Sequence, residues 1–228
     1  MEFIAKVWEL WCENWQLFLL QGLTKTLLFS AITVLFGTLI GSCLTAMKMG
    51  KVPPLRWLST AYIEVIRGTP ILLQLYIIYL GLPSLIPALN LLPLTSKQFF
   101  LVAVTLCFNS GAYVSELIRS GIQSVDKGQS EAARCLGLNR WQTMYRIVIP
   151  QAVRTILPAL GNEFIMIIKE SSQASIFFVG ELMTCYKIIN GATYLNLEPL
   201  TIIAIIYFVV TFSLSKVIGK VERRMSIQ

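Results

Sequence analysis

Residues 130–150 read SEAARCLGLNRWQTMYRIVIP and form a polar segment between two long apolar stretches of the chain. Glycine readily adopts the left-handed conformation that ends a helix, so Gly137 is expected to close a first helix over 130–136. Asn139 is suited to cap a second helix, with Gln142 as its capping-box partner three residues later. The segment therefore predicts a helix–turn–helix between two membrane spans. Its shape alone also fits a plain linker at the membrane surface.

The composition is that of a membrane protein. Apolar residues make up 55% of the chain, charged residues only 14%, and the mean hydropathy is +0.68. The length of 228 residues fits one domain, so residues 1–228 are taken as a single transmembrane domain. The formal net charge is +7, but the basic residues lie in loops between apolar stretches. Membrane topology explains that pattern, and no nucleic-acid partner is expected.

The sequence offers little for catalysis or for metal binding. It contains no histidine, which removes the commonest general base and transition-metal ligand. The five cysteines are scattered and form no CxxC pair, so no disulfide framework or zinc site is expected. No GxxxxGK[ST] phosphate loop occurs. We therefore expect no catalytic residue, metal or cofactor in this chain, and energy must come from an ATPase partner or an ion gradient.

Five stretches are apolar and long enough to cross a hydrocarbon core of ~30 Å. They are predicted at 27–47, 58–82, 98–118, 147–168 and 199–215, with a large polar loop at 126–146. In the first span, Gly37 and Gly41 form a GxxxG pair that lets another helix approach closely. In the second span, Pro70 removes a backbone donor and is expected to kink or break the helix.

The distribution of lysine and arginine predicts the orientation. With five spans, the N-terminus outside and the C-terminus in the cytosol, 14 of the 19 basic residues fall on the inner side. These inner residues lie in 48–67, 119–154 and 216–224. The positive-inside rule thus favours this arrangement, an all-α membrane protein whose loop 126–146 lies in the cytosol between spans 3 and 4.

The polar segment also resembles a known motif. From Glu131 to Pro150 the sequence is similar to the pattern EAA–x3–G–x9–I–x–L–P of binding-protein-dependent ABC importer permeases. The one departure is an isoleucine, Ile149, where leucine is usual. By this resemblance the loop is the coupling helix that docks in a groove of a cytosolic ATPase. The resemblance assigns the ATPase contact to four residues, with the two alanines allowing close approach: Glu131, Ala132, Ala133 and Gly137.

Two further stretches carry the same resemblance. Residues 67–70 read RGTP and, with 71–75, are similar to the polar amino-acid branch of this importer family. Residues 109–119 are similar to the family's segment just before the coupling loop. The resemblance implies a permease subunit in a bacterial cell membrane. Its expected partners are a second permease subunit (a copy or a homologue), a cytosolic ABC ATPase that holds ATP and Mg, an extracytoplasmic amino-acid-binding protein and membrane lipid.

A zwitterionic amino acid needs an acceptor for its ammonium group and a donor for its carboxylate, because unpaired charges are costly in a low-dielectric cavity. The candidates for the ammonium group are Glu163, Glu170 and Glu116; those for the carboxylate are Lys169, Asn109, Ser171 and Ser172, with Gln74 along the path. The alternative is internal pairing between helices. We expect that alternative for Glu64 with Arg67 and for Glu116 with Arg119.

Two other classes of protein remain possible on the residues alone. A gradient-driven carrier or channel would use Glu163 and Glu116 as proton or cation sites, and would transport without any partner. A membrane scaffold without transport activity fits the composition but leaves the intramembrane charges unexplained.

Overall fold

The computed structural model describes residues 1–226, and these are largely helical with no strand among them. The α-helices are α1 Glu2–Gln16, α2 Thr24–Met49, α3 Pro53–Arg67, α4 Ile71–Leu85, α5 Leu94–Gln123, α6 Lys127–Cys135, α7 Arg140–Thr143, α8 Ile149–Glu170, α9 Leu182–Thr193 and α10 Leu197–Ser226. π-helical segments lie at Leu17–Leu23 and Met144–Val148, and 3-10 segments at Pro87–Leu91 and Ser171–Phe177. The predicted all-α class is confirmed.

The chain begins with one very long helix. The helix α1, the first π segment and α2 run continuously from Glu2 to Met49 over 48 residues. At 1.5 Å per residue this is about 72 Å, more than twice the hydrocarbon thickness. The sequence predicted only its part 27–47 as a span. The N-terminal part was not recognised as the same helix because Glu2, Glu9 and Glu13 interrupt its apolar residues. In the structure its Leu10 packs with Ile202 and Ile206 of α10.

The predicted second span is broken in two. The helices α3 and α4 meet at an angle of 107° across Gly68, Thr69 and Pro70. Pro70 is extended, with φ −63° and ψ 137°, and it precedes the first residue of α4. The break expected from Pro70 is confirmed, because proline has no N–H to continue the hydrogen bonds of α3.

The centre of the bundle is the close packing of α2 against α5. A Cβ added at Gly37 would lie 2.7 Å from the Ser110 hydroxyl, and one at Gly41 would lie 2.9 Å from the Ser115 backbone nitrogen. The Thr45 hydroxyl also donates to the Ser115 carbonyl at 2.9 Å. The GxxxG pair therefore allows the helix contact that its spacing predicts.

Three helices of the described chain are long and apolar enough to cross a membrane, and the bent pair α3–α4 makes a fourth if it counts as one span. The three are Glu2–Met49, Leu94–Gln123 and Leu197–Met225. The span predicted at 147–168 corresponds to α8, which packs between α5 and α10 through Gly121 with Ile156 and Gly161 with Ile218. The count of five spans and the orientation stay predictions.

Candidate functional site: an exposed hairpin and a buried polar cluster

The polar segment folds as two helices, which we call the α6–α7 hairpin (residues 127–143). The first helix ends in a Schellman motif at Gly137, whose φ is +84°. Leu138 N donates to Ala133 O at 3.1 Å, and Gly137 N donates to Arg134 O at 2.9 Å. The helix covers Lys127–Cys135, so it starts three residues earlier than the sequence predicted, after Asp126 accepts from Gly128 N.

The second helix has the predicted capping box. Gln142 N donates to Asn139 Oδ1, and Asn139 N donates to Gln142 Oε1, both at 2.9 Å. The helix α7 then continues through Met144–Val148 into α8. The predicted helix–turn–helix is therefore confirmed, and its turn is held by backbone and capping hydrogen bonds within the hairpin.

The α6–α7 hairpin presents a mixed surface. Of the four residues assigned to ATPase contact, Glu131, Ala132 and Gly137 are exposed, whereas Ala133 is 4% exposed and packs inward. Large apolar side chains project beside them, which is unusual on a polar segment and typical of a contact surface. These are Leu136 and Trp141, each 84% exposed, and Tyr145, 75% exposed.

A cavity of about 540 Å³ lies where the hairpin meets the ends of α2 and α5. Its lining includes Thr45, Lys51, Ile118, Arg140 and Trp141. Arg140 and Trp141 of the hairpin therefore face the ends of α2 and α5 across this cavity.

A polar cluster lies inside the bundle, where α5 contacts α4 and α8. Asn109 Nδ2 donates to Gln74 Oε1 at 2.9 Å, and the Ser110 hydroxyl donates to Glu163 Oε1 at 3.2 Å. All four side chains are buried. The polar cluster Gln74–Asn109–Ser110–Glu163 thus consists of two hydrogen-bonded pairs, which start from adjacent residues of α5 and reach α4 and α8 respectively. It includes three of the predicted pathway residues, Gln74, Asn109 and Glu163.

Gln74 also supports the bend between α3 and α4. Its Nε2 donates to the Ile66 carbonyl at 2.8 Å, the Thr69 carbonyl at 3.1 Å and the Thr69 hydroxyl at 2.9 Å. Ile66 lies in the last turn of α3, where carbonyls lack helical partners, and Thr69 lies in the bend after it. Gln74 therefore links the broken ends of the helix to Asn109 on α5.

Glu163 has no cationic partner in the part of the chain that the structure describes: no lysine or arginine nitrogen there lies within 4.0 Å of its carboxylate. Its side chain is buried, and Ser110 is its hydrogen-bond donor. One hydroxyl does not compensate for removing a carboxylate from water. A cationic group of a ligand would supply the missing partner.

The other predicted pathway residues lie at the far end of α8. Lys169 is exposed, and Glu170 is half-buried two helical turns beyond Glu163. Two helical turns correspond to about 10 Å. The Ser171 hydroxyl donates to Ile168 O at 2.9 Å, and the Ser172 hydroxyl donates to Lys169 O at 2.6 Å. Among the described hydrogen bonds, none joins this group to the polar cluster.

Glu116 forms the ion pairs expected from the internal-pairing alternative. Its carboxylate is 2.7 Å from Arg119 on the same helix, and also 2.7 Å from Lys48 at the end of α2. The sequence predicted the pair with Arg119. It did not indicate Lys48, because that contact depends on how α2 packs against α5.

The prediction of an ion pair between Glu64 and Arg67 is wrong. Glu64 and Arg67 do not approach within 4.0 Å among the ion pairs of residues 1–226. The Arg67 guanidinium instead lies 5.5 Å from the centre of the Tyr113 ring on α5. Arg67 is the last residue of α3, where the chain bends, so its side chain can leave the face it would share with Glu64.

Sequence reasoning gave no role to Glu181, which is fully buried. Its carboxylate caps α9 by accepting from Met183 N at 2.6 Å and from Thr184 N and the Thr184 hydroxyl at 2.8 Å each. An acidic residue three positions before a threonine, at the start of an apolar stretch, is the signal that could have found this cap. Ser110 was likewise missed as the partner of Glu163, because its role depends on the packing of α5 against α8.

Three long apolar helices, a broken helix pair, a buried polar cluster and a protruding hairpin together define a multi-helix membrane protein. Residues 18–227 match the family described as binding-protein-dependent transport system inner membrane component, and the chain belongs to this family.

Several relatives are similar along nearly their whole length. The chain is 39% identical over 208 residues to the arginine transport system permease protein ArtQ of Bacillus subtilis, covering 91% of this chain and 92% of that protein. It is 38% identical over 211 residues to the putative glutamine transport system permease protein GlnP of Rickettsia bellii, covering 92% and 94%. It is 36% identical over 222 residues to the L-cystine transport system permease protein TcyB of Bacillus subtilis, covering 96% and 91%.

Solved structures agree with the fold. A chain of an amino acid ABC transporter crystallised with histidines has a TM-score of 0.87 and 42% identity, with 98% of this chain and 99% of that chain covered. A chain of the inward-facing MetNI methionine ABC transporter has a TM-score of 0.73 at 16% identity, with 91% and 96% covered. The second likeness shows the fold alone.

Proposed function

We propose that this chain is the membrane-spanning permease subunit of an ATP-driven importer of polar amino acids. The relatives are named for arginine, glutamine and cystine, and the solved chain at 42% identity comes from an amino acid ABC transporter. The observation that carries the proposal is Glu163, a buried carboxylate with no cation within 4.0 Å among the described residues, suited to an ammonium group.

The importer needs other subunits. The family is binding-protein-dependent, which supports an extracytoplasmic amino-acid-binding protein as the partner that delivers substrate. The sequence has no phosphate loop, so ATP and Mg belong to a cytosolic ABC ATPase. A second permease subunit, identical or homologous, completes the pathway. The complex is placed in the bacterial cell membrane, with the C-terminus in the cytosol and five spans per subunit.

The α6–α7 hairpin is the proposed coupling element. Glu131, Ala132 and the exposed apolar residues would seat on the ATPase, and Ala133 and Gly137 would fix the shape of the hairpin. ATP binding would move the two hairpins of the complex together. Because α7 continues through Met144–Val148 into α8, that movement would shift the helix that carries Glu163 of the polar cluster. The two states must differ in their contacts for such coupling to occur.

In the proposed pathway Glu163 receives the ammonium group of the substrate, and Gln74 and Asn109 line the route beside it. Lys169, Ser171 and Ser172 are the proposed donors for the carboxylate at the end of α8, and Glu170 is a second acceptor. Glu163 and the residues at the end of α8 lie about 10 Å apart along the helix axis. A shift of α8 would therefore expose first one and then the other of these two sites to the substrate.

The coupling role is tested at Gly137, where a side chain meets no atom within 4 Å and only the backbone angle matters. Valine is costly at a φ of +84°, whereas asparagine tolerates the left-handed region. We expect Gly137→Val to lower ATP-driven uptake at least tenfold in proteoliposomes of the assembled complex, with normal membrane insertion. Gly137→Asn is the matched control and should retain most of the uptake.

Normal uptake by Gly137→Val contradicts the coupling role. Uptake by the permease chain alone, without nucleotide or ATPase, contradicts the importer and favours a gradient-driven carrier.

A further inference from the structure

The last turns of α10 carry a basic recess on one side of the helix. A space of about 410 Å³ is lined by Phe212, Ser215, Lys216, Gly219, Lys220 and Arg223. The recess exists because Gly219 has no side chain: a Cβ there would meet nothing within 4 Å. Lys216 and Lys220 stand on either side of this notch, and both are exposed.

An apolar surface continues from the recess along the same face of α10. Phe208 and Phe212 stack with ring centres 5.6 Å apart, and they are 65% and 50% exposed. Positions 208, 212, 216, 219 and 223 follow the spacing of three and four residues that keeps side chains on one helix face. Lys216 Nζ lies 5.1 Å from the centre of the Phe212 ring, so the basic and apolar parts are in contact.

The positive charge of this face favours an anionic binding partner. The recess is flanked by two exposed lysines, Lys216 and Lys220, and Glu222 is not among its lining residues although it lies only about 60° around the helix from Gly219. A second copy of the chain packed symmetrically on this face would oppose lysines to lysines, which is unfavourable. A molecule with an anionic head and an apolar tail matches both parts of the surface.

We propose that this face of α10, the α10 strip (Phe208, Phe212, Ser215, Lys216, Gly219 and Lys220), binds one anionic phospholipid of the cytoplasmic leaflet. The phosphate group occupies the notch at Gly219 between the two lysines, and an acyl chain lies along the two phenylalanines. Basic clusters just inside a membrane span attract anionic lipids in this way. The proposal rests on the cytosolic C-terminus of the proposed function.

The test measures the binding of fluorescently labelled phosphatidylglycerol to the purified permease complex in neutral detergent. We expect unlabelled phosphatidylglycerol to displace the label at least tenfold better than phosphatidylcholine does, and inorganic phosphate not to displace it at millimolar concentration. Displacement by phosphatidylcholine at equal concentration, or by inorganic phosphate, overturns the proposal.

Two variants separate a shaped site from diffuse attraction. Gly219→Leu fills the notch at constant charge, and Lys220→Gln removes one adjacent charge; each should weaken binding at least fivefold. Arg224→Gln is the matched control, since it removes the same charge one helical turn beyond Lys220, at a residue that does not line the recess. It should change binding less than twofold. Equal losses in Lys220→Gln and Arg224→Gln, or unchanged binding in Gly219→Leu, overturn the site.

The binding assay is independent of transport. It needs no nucleotide or amino acid, so a complex that moves no amino acid but binds phosphatidylglycerol selectively would refute the proposed function and support the lipid site. Disulfide crosslinking of Ser215→Cys between two copies, together with absent lipid binding, would place the second subunit on the α10 strip and overturn the proposal.

Discussion

Glu163 is buried on α8, and its hydrogen-bond donor is the Ser110 hydroxyl at 3.2 Å. Replacing this residue by glutamine retains an acceptor for Ser110 but removes the charge. If Glu163 pairs with the substrate ammonium group, Glu163→Gln loses a charged hydrogen bond of about 1.5–3 kcal/mol. We therefore expect uptake by the assembled complex to fall about 10- to 100-fold, measured with radiolabelled amino acid in proteoliposomes.

The control for this prediction is Glu64→Gln, the same change at an exposed position of α3. It should leave uptake within about twofold of the unmodified chain, the usual size of a surface effect of about 0.5 kcal/mol or less. Thermal melting of both variants should match that of the unmodified complex or exceed it. Unchanged uptake in Glu163→Gln would assign the carboxylate to a structural role.

At the scale of single residues, the sequence showed which polar side chains are unusual for a membrane span, but not which side chains are in contact. Glu163 stands out because a carboxylate in an apolar stretch is rare. Its contact with Ser110 joins residues 53 positions apart, and that of Gln74 with Asn109 joins residues 35 apart. Such contacts depend on helix packing. The pair Glu64–Arg67 shows the limit of the i,i+3 rule, which holds within a continuous helix and fails where the helix ends.

The bend between α3 and α4 depends on Gln74. Replacing it by methionine keeps the volume but leaves the Ile66 and Thr69 carbonyls and the Asn109 amide without their partner. We expect Gln74→Met to cost about 3 kcal/mol, which lowers the melting temperature of the chain by about 6–12 °C. Leu73→Met, at the neighbouring exposed position, should change it by less than about 2 °C. Melting is monitored by tryptophan fluorescence in detergent. Equal melting temperatures for the two variants would show that Gln74 does not stabilise the bend.

The contact of α2 with α5 also depends on a single residue, Gly41. A Cβ at Gly41 would lie 2.9 Å from a backbone nitrogen, which cannot move without separating the two helices, whereas a Cβ at Gly81 on α4 meets nothing within 4 Å. We expect Gly41→Ala to destabilise the chain by about 1–3 kcal/mol. Gly81→Ala should be neutral or stabilise by up to about 1 kcal/mol, because alanine favours a helix. Differential scanning fluorimetry in one detergent compares them, and a neutral Gly41→Ala would contradict the close approach.

At the element scale, local signals were reliable. The break at Pro70, the Gly137 helix end and the Asn139–Gln142 capping box each follow from a few adjacent residues, and the structure contains all three. The boundaries of the helices could not be predicted from adjacent residues in the same way. The helix Glu2–Met49 begins 25 residues before the predicted first span at 27–47, and α6 begins three residues before its predicted start.

For the whole molecule, the proposed orientation can be tested with the chain's own cysteines. Cys12 and Cys135 are both exposed, near the N-terminus and on the α6–α7 hairpin. If the N-terminus is outside and the hairpin in the cytosol, a membrane-impermeant maleimide added to right-side-out vesicles should label Cys12 and spare Cys135. Cys135 should react after the membrane is permeabilised.

Each exposed cysteine is measured in a chain whose other exposed cysteines, including Cys43, are replaced by serine. Labelling of Cys135 in sealed vesicles would reverse the orientation and would remove the hairpin from the reach of a cytosolic ATPase. The charge distribution predicted this topology with 147–168 as the fourth span, whereas α8 is not among the described helices that are apolar enough to cross a membrane by length and composition.

The first helix is so long that a small rotation at its contact with α5 would be enlarged at its N-terminal end. It is clamped to α5 at Gly37, and Glu2 lies 35 residues away, about 52 Å along the axis. A rotation of about 10° at the clamp would carry the far end through about 9 Å. Because Leu10 near that end packs with Ile202 and Ile206, while Ile218 of α10 packs against Gly161 of α8, such a rotation would strain the contacts that hold α10 between α1 and α8.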